Sequence, residues 1–210
     1  MKSLNNPFAS RHMESLSYLF TDLSLTAVME RLASQNFRGA ITGPRGSGKT
    51  TLLETIGRRL EQTGFKCRYL YLKRENKSRG ITRCPYPAGE NCSRMAFLID
   101  GAEQLSRFGR YRLYLKIKPA GAVVITTHGR SALPGLIRTR TSPALLYDLV
   151  FQLTGKTDML SEQAIFALYH RHQGDIRQAL RELYDVWAAG RGRSDLHPVN
   201  MSLDISHVSH

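Results

Sequence analysis

The fold of this chain is decided by the stretch Gly43-Pro44-Arg45-Gly46-Ser47-Gly48-Lys49-Thr50, which matches the pattern G-x-x-x-x-G-K-[ST]. It follows a short apolar run, residues 39–42, and precedes a helical pattern that extends to Leu60. Glycines there let successive backbone N–H groups turn inward, and the start of the helix adds the positive end of its dipole. We expect Lys49 to reach the β- and γ-phosphates of a nucleotide and the Thr50 hydroxyl to ligate Mg²⁺. The sequence therefore predicts a phosphate-binding loop, with Thr51 completing the nucleotide-binding segment.

Further apolar runs alternate with helical patterns along the chain. Residues 67–72, 95–99 and 122–127 are typical of strands, and the last two of strands buried in a parallel sheet. Strands that alternate with helices imply right-handed crossovers and a parallel sheet covered on both faces. The sequence therefore predicts an α/β fold of the P-loop NTPase kind, a parallel sheet flanked by helices.

Composition and periodicity divide the chain into four segments. These are an N-terminal extension with a leading helix (1–36), the α/β core (37–142), a small C-terminal helical lid (143–189) and a tail (190–210). The leading helix is expected over about 23–32. The lid is expected to hold three helices, over 144–153, 161–172 and 175–189.

Charge, proline and glycine concentrate in residues 73–94, which we interpret as an exposed loop. The three cysteines, Cys67, Cys84 and Cys92, cannot all pair, which agrees with a reducing compartment. Cys84 and Cys92 flank a segment too long for one zinc knuckle, and no fourth ligand stands nearby. We therefore expect no metal site in this loop.

A carboxylate is expected at the tip of a strand beside the phosphate-binding loop, because Mg²⁺ prefers oxygen ligands. Asp100, at the end of the run Phe97-Leu98-Ile99, meets this requirement and is predicted to hold the Mg²⁺ shell. Hydrolysis also needs a base or a water-orienting group near the γ-phosphate, and Glu103 is the nearest candidate. The alternative for Glu103 is an acid that stabilises the start of a helix.

Polar residues also end the strand over 122–127, where open parallel sheets bind ligands. One of Thr126, Thr127 and His128 is predicted to contact the γ-phosphate or the attacking water. We favour Thr127 and place His128 second; capping of the strand end is the alternative. Arg138 and Arg140 are candidates for an arginine that one subunit donates to its neighbour's site. Solvated surface arginines are the alternative for this pair.

Four motifs, GPRGSGKTT, FLIDGAE, VVITTH and QGDIRQAL, together resemble the Walker A, Walker B, sensor-one and sensor-two motifs of AAA+ ATPases, in that family's order. The last is similar to a signature of the helical lid in clamp loaders and origin-recognition ATPases. Asn6-Pro7-Phe8 and the wording GSGKTTLL resemble the bacterial ExeA and transposition-ATPase group. The resemblance covers about residues 5–189 and implies that Arg177 folds back onto the γ-phosphate. It also implies a homo-oligomer or a partner ATPase. Gly101 departs from the family pattern, which has a catalytic Glu at this position.

The net charge of +13 comes from 30 Lys plus Arg against 17 Asp plus Glu, and Arg outnumbers Lys by 22 to 8. Arginine binds phosphate through a planar bidentate fork, so this balance favours polyanionic partners, although genome composition also raises arginine usage. Residues 104–147 contain eight Arg and Lys and no acidic residue. This basic block is a candidate contact for DNA or RNA, and its tyrosines are candidates for stacking on bases, unless they pack inward.

The sequence thus predicts a protein that binds ATP and Mg²⁺ and hydrolyses ATP, acting on or with nucleic acid as an assembled ATPase. One alternative is a nucleotide-gated switch or scaffold that turns over slowly or not at all, which Gly101 favours. Another is a small-molecule kinase, for which no acceptor motif is found. No apolar run reaches the roughly 18 residues of a membrane helix and no signal peptide is evident, so we expect a soluble cytoplasmic protein without membrane contact.

Overall fold

The computed structural model describes residues 6–14, 16, 18–19, 23–72, 91–156 and 160–189. The chain divides into two compact units. The sheet unit is Ser17–Thr139, and the helical unit combines Met1–Leu16 with Arg140–His210. Most of the 73–94 loop, with Cys84, and the predicted tail at 190–210 lie outside the described residues.

The sheet unit is an α/β fold built on five parallel strands. They are β1 Arg38–Thr42, β2 Lys66–Tyr71, β3 Met95–Asp100, β4 Ala122–Thr127 and β5 Gly135–Arg138. Their order across the sheet is β2-β3-β4-β1-β5, and each neighbouring pair is parallel. Since all strands run the same way, their carboxyl ends share one edge, where the residues that follow β1, β3 and β4 meet.

Helices cover both faces of this sheet. On one face α2, Leu25–Ser34, and α3, Lys49–Gln62, pack against alternate strand residues such as Leu98 and Val124. On the other face α4, Arg107–Ile117, packs against the intervening residues, which include Phe97, Ile99 and Val123. Successive strand side chains point to opposite faces, so Asp100 and Thr126 at the strand ends lie on the α3 face.

The helical unit contains α1 Ser10–Glu14, α5 Pro143–Thr154, α6 Glu162–Arg171 and α7 Ile176–Ala188. Its N-terminal segment is packed into the core of the C-terminal helices. Phe8 is fully buried in their apolar cluster, and its ring meets that of Trp187 edge-on at 6.2 Å between centroids. The Asn6 side-chain amide donates a hydrogen bond to the Tyr184 carbonyl at 3.0 Å. Residues from the two ends of the chain therefore form one unit.

The four predicted strands and the three helices predicted after residue 143 are confirmed to within about two residues at each end. The predicted leading helix is present as α2. The fifth strand, β5, was not predicted from the sequence. Within the part of the chain that the structure describes, no helix has the length and apolar content needed to cross a bilayer.

Candidate functional site

The predicted phosphate-binding loop joins β1 to α3 at the carboxyl edge of the sheet. Gly48 stands at the start of α3 with φ of 77°, a left-handed conformation that favours glycine. The five helices α2, α4, α5, α6 and α7 each begin with a Ser or Asp side chain that accepts a backbone N–H, whereas α3 has no such cap. The first N–H groups of α3 are therefore available to an anion.

Lys49 is buried, with only 9% of its surface exposed, and its side chain folds back over the loop. The ammonium donates to the carbonyls of Gly43 at 2.9 Å and Pro44 at 2.6 Å. A buried ammonium is costly unless it is hydrogen-bonded, and these two carbonyls meet that need. They leave a positive charge beside the uncapped start of α3, which is an arrangement that suits a phosphate group.

Thr50 and Asp100, the predicted Mg²⁺ ligands, lie in direct contact. The Thr50 hydroxyl donates to Asp100 Oδ2 at 2.9 Å. Among the described residues no group of three or more His, Cys, Asp or Glu side chains is placed to hold a metal ion. One carboxylate and one hydroxyl form a set that fits Mg²⁺, because this ion keeps several waters and takes its remaining ligands from substrate phosphates.

Thr126 holds the other oxygen of the same carboxylate. Its hydroxyl donates to Asp100 Oδ1 at 2.5 Å and accepts from the Gly101 N–H at 2.9 Å, and the residue is 1% exposed. Thr126 thereby fixes the Asp100 carboxylate and the turn that follows it. Thr127, the residue favoured from the sequence, comes next in β4, and among the described residues its hydroxyl accepts a long contact from the Gly129 N–H at 3.4 Å.

The backbone turns sharply at Gly101, directly after β3, and this turn determines where Glu103 lies. Its φ is 78°, and a Cβ at this position would lie 2.7 Å from the Leu72 carbonyl oxygen. A glutamate at position 101, as in the AAA+ pattern, is therefore incompatible with this backbone. The turn continues into a single 3-10 turn, Ala102–Gln104, which carries Glu103 back toward the end of β4.

His128 connects Glu103 with the phosphate-binding loop. Its Nε2 lies 3.2 Å from Glu103 Oε1, and its Nδ1 lies 3.0 Å from the Gly43 carbonyl and 3.3 Å from the Lys49 ammonium. The carbonyl can only accept and the ammonium can only donate, so Nδ1 either donates to Gly43 or accepts from Lys49, according to the tautomer of the ring. A hydrogen on Nε2 donates to Glu103 Oε1.

The second carboxylate oxygen of Glu103 is buried and has no hydrogen-bond partner within the described ranges. Buried polar atoms in native proteins are nearly always hydrogen-bonded to protein or to ordered water. An unpartnered acceptor at this edge of the sheet is the kind of group that holds a water molecule. Glu103 is accordingly a candidate for orienting water, as the sequence predicts.

Ser47 and Thr139 tie the loop to the chain segment after β5. Their hydroxyl oxygens lie 2.6 Å apart, and both residues are buried. The Thr139 hydroxyl also lies 3.2 Å from the Thr42 carbonyl, and the Ser47 hydroxyl lies 2.8 Å from the Pro44 carbonyl. Because each hydroxyl has one hydrogen, one of the two donates to its carbonyl and the other donates across the pair. Thr139 was not selected from the sequence as a site residue, and Thr126 was named among the polar residues that end β4 without being the favoured one.

The remaining predicted residues are distributed over both units. In the loop Pro44 and Arg45 are exposed and Gly46 is half-buried, while Thr51 lies in the first turn of α3. Arg138 is exposed at the end of β5, an outer strand, where it pairs in register with Thr42. Arg140 and Arg177 are exposed on the helical unit. The roles of these three arginines stay predictions.

The two described cysteines, Cys67 and Cys92, are free thiols. Burial, with a smaller contribution from Glu61, raises the pKa of the Cys67 thiol to about 12. The thiol, not the nucleophilic thiolate, is therefore present near neutral pH. Cys67 contributes neither a nucleophile nor a metal ligand to the site.

Thr126→Val is expected to lower the free energy of unfolding by about 2–3 kcal/mol, because it removes a hydrogen bond to a carboxylate and leaves the Gly101 N–H unpaired. Thr126→Ser keeps the hydroxyl and should cost clearly less. Thr127→Val is the matched control and should also cost less, since its hydroxyl has only the long contact. Urea unfolding of the three variants measures these values; equal losses at 126 and 127 would contradict the assigned role of Thr126.

Comparison of the chain with protein-family models and with curated proteins found no match in either set.

Proposed function

We propose that the protein binds ATP with Mg²⁺ and hydrolyses it to ADP and phosphate, as an ATPase of the AAA+ kind. The main support for the proposal is that four chemically distinct groups lie together at one edge of the sheet. They are a buried ammonium, an uncapped helix start, a hydroxyl–carboxylate pair and a carboxylate with an unpartnered buried oxygen. Each matches one requirement of phosphoryl transfer to water.

In this proposal the loop N–H groups and Lys49 bind the phosphates, and Thr50 and Asp100 hold Mg²⁺. The ion, when bound, neutralises charge on the phosphate oxygens. Glu103 orients the attacking water and accepts its proton, while Thr126 keeps Asp100 in place. Stabilisation of the transition state is then mostly electrostatic, from groups positioned before the reaction begins.

A slow switch or scaffold is the second candidate function. It is favoured by the contact between Glu103 Oε1 and His128, because one carboxylate oxygen is already engaged there. In such a protein ATP binding changes the conformation and hydrolysis is too slow to do work. This candidate shares the loop, the lysine and the Mg²⁺ ligands with the ATPase, and differs in turnover alone.

Steady-state phosphate release, measured with and without single- and double-stranded DNA, tests the proposal. Phosphate release by the wild-type protein well above that of a Lys49→Ala preparation supports the ATPase. Tight ATP binding without release supports the switch. Transfer of phosphate to an added small molecule would instead indicate a kinase.

A donated arginine gives a separate prediction. Arg138→Ala chains mixed with Lys49→Ala chains are expected to regain turnover at about a quarter of their sites, because a wild-type loop from the first then meets a wild-type arginine from the second. Arg177→Ala mixed with Lys49→Ala should regain none, since the lid arginine is expected to serve the loop of its own chain. Phosphate release from equimolar mixtures measures both. If the Arg138 mixture stays inactive while assembly is intact, the donated residue is Arg140 or there is none.

A further inference from the structure

Helix α4 presents an outer face that its packing does not use. Its buried residues, Gly109, Leu113 and Ile117, recur every four residues and face the sheet. Directly opposite lie Phe108, Tyr111 and Leu115, which are 69%, 60% and 50% exposed. Exposed large hydrophobics are rarely concentrated in this way on a single short helix of a monomeric protein, and such patches mark interaction sites.

Basic side chains border this stripe on both sides. Arg107 and Arg110 lie on one flank with Tyr114, and Arg112 lies on the other, with its guanidinium 5.8 Å from the centre of the Phe108 ring. In the part of the chain that the structure describes, none of these three arginines forms an ion pair with an acidic residue. Residues 104–147 contain no Asp or Glu, and the carboxylate directly before them, Glu103, lies against His128.

We infer that the outer face of α4 binds a single-stranded polynucleotide, with Phe108 and Tyr111 stacking on bases and Arg107, Arg110 and Arg112 contacting phosphates. Aromatic rings within a basic surface are the means by which proteins bind unpaired strands, because every base has a face on which a ring can stack. Arginine suits this role better than lysine, since its planar fork matches phosphate and also stacks on rings. The spacing agrees: residues 108 and 111 are separated by about 4.5 Å along the helix axis, which is on the scale of the distance between neighbouring bases.

The exposed aromatic rings are the reason for proposing a single-stranded rather than a double-stranded nucleic acid. In a duplex the bases are stacked on one another, so an aromatic ring reaches a base face only by unstacking a base step, and an unpaired strand does not impose that cost. An acidic protein groove or an anionic membrane would also attract a basic, partly apolar helix. Neither of them offers flat faces to two aromatic rings. The inference goes beyond the proposed function, because it does not depend on ATP binding or turnover.

Fluorescence anisotropy of a labelled oligothymidine of about 20 nucleotides, titrated with the full chain, tests the inference. The double variant Phe108→Ala/Tyr111→Ala should weaken binding about tenfold or more with an unchanged salt slope. The triple variant Arg107→Gln/Arg110→Gln/Arg112→Gln should reduce the slope of log K against log salt by about 2, since each phosphate contact contributes about 0.7. A duplex of equal length should compete much less well than the single strand.

Two controls keep the test specific to α4. Arg58→Gln/Arg59→Gln changes two exposed arginines on α3, and Phe166→Ala removes an exposed ring on α6; both should leave the affinity unchanged. Lys49→Ala should also bind oligothymidine normally, so failure of the ATPase proposal and failure of this one are distinguishable. Circular dichroism and thermal unfolding confirm that each variant is folded.

Three outcomes would overturn the inference. In the first, the α4 variants bind oligothymidine with the same affinity as the wild-type protein. Another is equal loss from the α3 arginine control, which would indicate diffuse attraction to net charge. The third is no binding of oligothymidine together with α4-dependent binding to vesicles of phosphatidylserine and phosphatidylcholine, which would assign the face to a membrane surface.

Discussion

Lys49→Ala is expected to lower the affinity for ATP about a hundredfold or more. Hydrogen bonds to charged groups contribute about 1.5–3 kcal/mol each, and the ammonium is expected to make at least two with the phosphates. The same ammonium is held by the Gly43 and Pro44 carbonyls, so it is already beside the uncapped start of α3. Isothermal titration calorimetry with ATP at fixed Mg²⁺ measures the change.

Two further variants separate binding from folding in this experiment. Lys49→Met keeps the apolar stem and should lose affinity to the same extent with less disturbance of the loop. Lys156→Ala removes an exposed lysine of the helical unit and should bind ATP normally. Unchanged affinity in a folded Lys49→Ala protein would mean that residues 43–50 form only a glycine-rich turn.

Glu103→Gln is expected to reduce steady-state phosphate release by a factor of about 10² to 10⁴ while ATP affinity stays the same. The amide preserves the shape of the side chain and its proximity to His128, but it cannot accept the proton of the attacking water. Phosphate release and ATP titration on the same preparation measure the two quantities. Glu30→Gln, an exposed change on α2, is the matched control and should alter neither.

Turnover that survives in Glu103→Gln would transfer the role to another residue. His128 is then the next to examine, because its two ring nitrogens face Glu103 and the loop carbonyl of Gly43. His128→Asn, which keeps a hydrogen-bond donor, would test that alternative by the same assay.

Each of the four strands predicted from the sequence contains a local apolar run, such as residues 95–99, that identifies it without any knowledge of its neighbours. β5 was missed because it has only four residues, Gly135–Arg138, directly after Pro134. What makes it a strand is its pairing with β1, which involves a register shift between Ala40 and Ile41. Pairing of this kind is a tertiary property and has no local signal.

The sequence predicted the residue types of the candidate site more fully than the contacts between them. The motif identified Lys49 and Thr50, and the strand end identified Asp100. Thr126 was named among the polar residues that end β4 but was not favoured, although a signal existed. Strand alternation places it on the same face as Val124, the face that a right-handed crossover covers with α3. The contacts of His128 depend on the turn at Gly101, which composition does not reveal.

The hydrogen bond between Asn6 and Tyr184 joins residues 178 positions apart, and it has a consequence for how the chain folds as it is made. Synthesis proceeds from the N-terminus, so Asn6 and Phe8 leave the ribosome long before their partners on α7 exist. The sheet unit, complete at Thr139, can fold during translation. The Phe8 side chain, by contrast, stays without its native apolar environment until α7 has emerged, and we expect the nascent chain to be open to chaperone binding at this N-terminal segment until then.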